Sequence, residues 1–197
     1  GDGFSGALSR SSGSTVGNYA YTIGTLSAGS NYTLSLAAGT FAITTKTITV
    51  TADAGQSKAY GAADPTFTYT NSPALESGDS FSGALSRVSG SSVGTYAYTL
   101  GTLSAGSNYT LSLAAGTFAI TAKTITITPN AGQSKVYGAT DPTFTYTNSP
   151  ALESGDSFSG DLGRAAGSSV GTYAYTLGTL SAGSNYTLSL AGGSFAI

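Results

Sequence analysis

Across 197 residues the chain carries only seven basic and nine acidic side chains, for a net charge of −2. The scattered Lys and Arg exclude a nucleic-acid partner, which demands clustered cations. His, Cys, Met and Trp are absent, so the chain has no disulfide framework, no thiolate or imidazole metal site and no nucleophile beside a base, and it reads as no enzyme. No apolar run reaches the roughly 18 residues that a membrane-spanning helix needs.

The chain repeats itself with a period of 77 residues: GDGFSGALSR at Gly1 returns as GDSFSGALSR at Gly78 and as GDSFSGDLGR at Gly155. Residues 1–46 correspond to the C-terminal part of a repeat, 47–123 form a complete one and 124–197 a nearly complete one. Such self-similarity marks a chain that acts through length and multiplicity. The ends fall out of phase with the repeat, which suggests a piece of a longer polypeptide. Residues 1–46 are then expected to need strands from an upstream half, or from a neighbouring molecule, to complete a core.

In chain order, Ile48 and Val50 alternate with Thr47, Thr49 and Thr51; Phe67 and Tyr69 alternate with Thr66, Thr68 and Thr70. Tyr96, Tyr98 and Leu100 share a face, as do Tyr109, Leu111 and Leu113, and then Phe118 and Ile120. Period-two alternation of β-branched and aromatic residues is the mark of half-buried strands with Thr on the wet face. With 13 Tyr and 8 Phe in this pattern, the chain is expected to fold despite its Gly and Ser content. Turns are predicted at Tyr60-Gly61, followed by Asp64-Pro65, and at Asn71–Pro73 and Ser77–Asp79. No segment has a helical period. The fold class is therefore all-β, an elongated array of small immunoglobulin-like β-sandwich modules of 77 residues, with a β-grasp-like sheet as the alternative.

Differences between copies test the faces. Ala84 becomes Asp161 at a position out of phase with Phe81 and Leu85, which places the new carboxylate in solvent, because burying it unpaired is costly. Val50 becomes Ile127 on the core face. The junction from Phe118 to Ile127 contains no flexible Gly/Ser spacer, so successive modules are expected to form a fairly stiff string.

Lys58-Ala-Tyr60-Gly61 with Asp64-Pro65-Thr-Phe67-Thr-Tyr69, Gly78-Asp79-Ser-Phe81 through Arg87, Val93-Gly94-Thr-Tyr96-Ala-Tyr98, and Asn108-Tyr109-Thr-Leu111 with Gly116-Thr-Phe118-Ala-Ile120 together resemble the MBG domain of the YGX type. The resemblance runs through the whole chain. It implies tandem modules of very large bacterial surface and secreted proteins, including filamentous-haemagglutinin-like adhesins. It thus implies an extracellular or cell-surface position, and it brings no catalytic residue with it.

Candidate sites are few. Asp53, Asp64, Glu76 and Asp79 are separated along the chain, and Asp53 becomes Asn130. A calcium ion wants six to eight oxygens with carboxylates close together, so these acids are assigned to turns and caps, with bound calcium as the lesser alternative, and no other cofactor is expected. Arg87 recurs as Arg10 and Arg164, and Asp79 as Asp2 and Asp156. Gly61, Asp64, Pro65, Asp79 and Arg87 are read as turn or structural residues. Tyr60 and Tyr137, each beside a turn Gly, are the candidates for stacking on a glycan. Asn31, Asn108 and Asn185 open glycosylation sequons but are read as turn starts before a strand.

The function expected is a spacer or stalk within a large bacterial adhesin or extracellular fibre, its partners being neighbouring repeats of the same chain. A multivalent array for host or environmental glycans is the alternative. So is association with other copies of itself, since uncharged Thr-rich edges are poorly protected.

Overall fold

The structure, a computed structural model, describes residues 2–197. The described residues form sixteen β-strands and no helix. Two compact units divide the chain. One holds the residues up to Asp53 with Phe67–Ser86 and Thr99–Gly116; the other holds Ala54–Thr66, Arg87–Tyr98 and Thr117–Ile197.

In the first unit, β1 (Ser9–Arg10), β2 (Gly17–Thr22) and β3 (Thr40–Ile43) form an antiparallel sheet with Tyr19 opposite Phe41. A second sheet is centred on β4 (Lys46–Ala52), flanked by β6 (Tyr69–Ser72) and β9 (Tyr109–Leu113). Along β4 the Thr residues are exposed while Ile48 and Val50 are wholly buried, as the period of a pleated strand dictates. Strand β9 runs parallel to β4, with Ile48 opposite Leu111 and Val50 opposite Leu113. Strand β6 runs antiparallel, with Ala52 opposite Tyr69. The strand expected over Thr66–Thr70 is therefore displaced and begins at Tyr69. The reason lies in its partner: the β4 ladder ends at Ala52, with one more backbone bond beyond it, Asp53 N–H to the Thr68 carbonyl.

In the second unit, β5 (Ser57–Ala59), β10 (Thr117–Thr121), β8 (Gly94–Thr99) and β7 (Ser86–Arg87) lie side by side in that order. The third repeat adds two three-stranded sheets. One has β11 (Lys123–Pro129) between β12 (Tyr146–Ser149) and β15 (Tyr186–Leu190); the other has β14 (Thr172–Thr176) between β13 (Gly163–Arg164) and β16 (Ser194–Ala196). Both sheets feed one core: Ile125 and Ile127 from β11, Tyr186 from β15, Tyr175 from β14 and Phe195 from β16, joined by Phe144, Leu162 and Leu180 from the loops. Full burial of side chains this size stabilises by roughly 1.5–3 kcal/mol each. This is the two-layer module that the alternation predicts, and Asp161, the charge introduced by duplication, is exposed on it.

Candidate functional site

The residues singled out in the sequence fall into two constellations. The first pins a loop to a sheet. Arg87 grips Asp64 with two parallel bonds, Nε to Oδ2 at 2.7 Å and Nη2 to Oδ1 at 3.0 Å, while Nη1 donates to the carbonyls of Val88 and Gly90. Lys58 Nζ reaches the same carboxylate at 2.6 Å. The guanidinium lies over the rings of Tyr96 and Phe118, at 4.9 and 5.4 Å from their centroids, which adds cation–π attraction to a planar, charge-assisted fork. Arg87, and after it Lys58, holds the Asp64 carboxyl at a pKa of about 2. The third repeat builds the same cluster from Arg164, Asp141 and Lys135. Asp79 takes no part in it. The exposed Pro65 follows the captured Asp64 and holds the chain extended there.

The second constellation lies in the second compact unit and joins one repeat to the next. Tyr60 projects from the turn after β5, where its N–H donates to the Thr121 carbonyl at 2.8 Å. Its hydroxyl donates to Asp156 Oδ2 at 3.0 Å, and its ring meets that of Tyr186 edge to face with centroids 5.3 Å apart. The Tyr186 hydroxyl donates to the same Asp156 oxygen at 2.6 Å and accepts from Glu153 N–H at 2.8 Å. Glu153 in turn pairs with Lys123 at 2.5 Å. A second tie lies beside these, Val93 N–H to Asn185 Oδ1 at 2.9 Å.

The electrostatics favour two neutral phenols on one carboxylate. Burial, and after it Asp156, pushes the Tyr186 hydroxyl up to a pKa of about 12. The hydrogen bond to Asp156 is the main cause that raises Tyr60. Gly61 is needed for the approach: its φ is +81°, and a Cβ there would fall 2.2 Å from the Glu153 carboxyl carbon. A side chain at this position would meet both a left-handed backbone and a collision.

The first unit carries the matching receptor. Tyr109 donates to Asp79 and accepts from Glu76 N–H at 2.9 Å; Lys46 pairs with Glu76 at 2.6 Å; Asn108 Oδ1 accepts from Val16 N–H at 3.0 Å. Here Lys46, Glu76, Asp79, Asn108 and Tyr109 line a cavity of about 410 Å³. The two tyrosines predicted to be alike therefore differ. Tyr60 is packed on the following repeat, whereas Tyr137 is 68% exposed.

Asp156, Glu153, Asn185 and Tyr186 were not singled out as a site by sequence reasoning. The signal was present, because Gly-Asp and Asn-Tyr-Thr return at each period. The sequon asparagines of the second and third repeats act as side-chain acceptors for the backbone of the preceding repeat.

The family description MBG domain (YGX type) matches the chain three times, at residues 1–42, 48–119 and 125–196. No curated protein and no solved structure matches it.

Proposed function

The chain belongs to the MBG domain (YGX type) family, whose repeats are associated with large surface proteins and adhesins, and on that premise we propose that it is a spacer or stalk segment of such a protein. The observation that carries this reading is the Tyr60 contact. A repeat that places an aromatic plug hydrogen-bonded to Asp156, one backbone-to-side-chain tie from Val93 and a Gly-dependent close approach onto its successor restricts rotation at the junction. The covalent link works in the same direction, because β10 ends at Thr121 and β11 begins at Lys123, leaving one residue between them. A short extended connection with docked flanks transmits tension, where a Gly/Ser linker would coil. Repetition then supplies reach, with no chemistry required of any one module.

The test is solution X-ray scattering on a series of two, three and four complete repeats. The maximum dimension is expected to increase by a constant step per repeat. In the series carrying Ala at each Tyr60-equivalent position, the step is expected to shorten and the profile to show bending. A particle that stays compact as repeats are added would sink the spacer reading.

A further inference from the structure

With no Cys, Met, Trp or His in the chain, tyrosine is its most readily oxidised side chain, and no thiol or thioether competes for an oxidant. The 13 tyrosines are not equivalent. Tyr96 and Tyr173 lie under the guanidinium groups of Arg87 and Arg164 and donate to the carbonyls of Ser92 and Ser169. A cation over the ring opposes loss of an electron from it, and a carbonyl is a poor base for the proton. Tyr109 has a better acceptor, the Asp79 carboxylate, but no ring contact with a second tyrosine among the described residues.

At the contact between the second and third repeats both requirements meet. The Tyr60 and Tyr186 rings lie edge to face, 5.3 Å apart at 79°. Both hydroxyls donate to one atom, Asp156 Oδ2, at 3.0 and 2.6 Å. Two phenols joined at the carbons ortho to their oxygens carry those oxygens side by side, and Asp156 already gathers them at one point. The carboxylate is also a base within hydrogen-bond reach of each O–H. The Tyr186 oxygen accepts the Glu153 N–H at 2.8 Å, a donor that stays in place on a phenoxyl radical. Tyr60 is half-buried and Tyr186 buried, so radicals formed here meet each other before they meet another molecule.

We propose that Tyr60 and Tyr186 form an oxidative cross-linking site that welds one repeat to the next as dityrosine. Each ring loses one electron to a one-electron oxidant of the peroxidase–peroxide class, and its phenolic proton passes through Asp156 to water. The two radicals form one C–C bond between ortho carbons. The two ortho hydrogens then move to the oxygens and restore both phenols. The net loss is two electrons and two protons, which reduce one hydrogen peroxide to two waters. The product closes a long loop and constrains the unfolded chain as a disulfide does, in a sequence with no cysteine to make one. This rests on the Tyr60 contact as the device that joins repeats, and turns a dock into a covalent tie.

The experiment is photo-oxidation of the 197-residue chain at low concentration, with a ruthenium tris-bipyridyl sensitiser and persulfate as electron acceptor. The monomeric product is isolated by size and digested with trypsin. A fluorescent dityrosine species joining peptide 59–87 to peptide 165–197 is expected, with fragmentation placing the bond at Tyr60 and Tyr186. Tyr60→Phe is expected to lower its yield at least tenfold with unchanged circular dichroism, since it removes only a half-buried hydroxyl. Asp156→Asn is expected to lower the yield at neutral pH. That loss is expected to be recovered near the ordinary phenol pKa of about 10, where the rings shed their protons without a base. Tyr137→Phe, at an exposed ring outside the pair, is expected to change nothing.

A Tyr60→Phe chain that still gives the same linked peptides overturns the proposal. So does cross-linking through Tyr109 or Tyr137 that matches the Tyr60 yield, because oxidation would then follow a carboxylate or exposure and not the pair. Dityrosine confined to dimers and larger products overturns it as well. Each of these leaves the spacer reading to the scattering series.

Discussion

Residues 2–43 and residues 156–197 are nearly the same sequence in two surroundings. In both, a strand pair places Tyr opposite Phe, Tyr19 with Phe41 and Tyr173 with Phe195. In both, an arginine lies over those rings, Arg10 at 4.7 and 5.0 Å and Arg164 at 4.9 and 5.4 Å. The burial differs: Phe41 is 42% exposed and Phe195 is fully buried. The cover over Phe195 comes from earlier in its own repeat, from β11 and Phe144, whose ring centroid lies 5.0 Å away. Pairing and stacking are thus local properties of the C-terminal half of a repeat, whereas its core is borrowed from the N-terminal half.

If that division holds, truncating the same side chain in the two places gives very different losses. Phe195→Ala is expected to destabilise the third repeat by about 3–5 kcal/mol, the usual cost of removing a buried aromatic ring. Phe41→Ala is expected to cost under about 1 kcal/mol, as surface substitutions do. Hydrogen exchange read peptide by peptide separates the two regions, which a single melting curve cannot do in a chain of several modules. Equal losses would mean that residues 2–43 are covered as well as the third repeat is, and the comparison would fail.

A smaller effect sharpens it through charge. Arg164 pairs with a carboxylate, where Arg10 has none among the described residues: Asp141, held at a pKa of about 2 by Arg164 and then Lys135. The unfolded-state value is near 3.8, so the native pKa is depressed. A depressed carboxylate stabilises the fold above its unfolded pKa, and that contribution is lost as pH falls through the folded value. Stability of the second unit is therefore expected to decline between about pH 4 and pH 2. Asp141→Asn together with Asp64→Asn is expected to flatten the decline, because Asp64 sits in the same arrangement. Hydrogen exchange read over peptides of the second unit across that range, corrected for the intrinsic exchange rate at each pH, reads it. An unchanged slope in the double variant would show that Lys and Arg hold these loops without help from the carboxylates.

The 77-residue period, the all-β class and the Thr-faced strands were legible because each depends on local alternation. Asp161 was legible as a solvent residue for the same reason. The partners were not. Arg87 meets Asp64 and not Asp79 because the loop before β6 folds back over the sheet, and no spacing encodes that return. Strand β9 lies parallel to β4, and alternation says which face a side chain takes without saying which strand is its neighbour. The junction was hardest to read. Tyr60 and Tyr137 sit in almost the same local sequence, and near-identical copies cannot tell Tyr60 whether its acceptor is Asp79 in its own repeat or Asp156 in the next. That choice is made by the extended link between β10 and β11, which brings the Tyr60 turn to the receptor of the following repeat.

The finest break between the two regions concerns one hydroxyl. Tyr175 in the third repeat is buried, its oxygen has no hydrogen-bond partner among the described residues, and burial raises the pKa of its phenol. Its counterpart Tyr21 is 39% exposed. A buried hydroxyl without a partner carries a desolvation cost of about 1–3 kcal/mol, part of which is recovered by deleting it. Tyr175→Phe keeps the ring and its edge contacts with Phe144 and Phe195 and is expected to stabilise the third repeat by about 1 kcal/mol. Tyr21→Phe is expected to be neutral within a few tenths, since an exposed ring edge gives its hydroxyl access to water in both folded and unfolded states. The two variants differ from the parent by the same single atom, so hydrogen-exchange protection read over each region and compared between them measures the surroundings and not the chemistry. Stabilisation at Tyr175 alone would place the difference between the two regions in their cover. A loss at Tyr175 would mean that this oxygen is served by a water inside the core, and that the third repeat is less dry than its apolar lining implies.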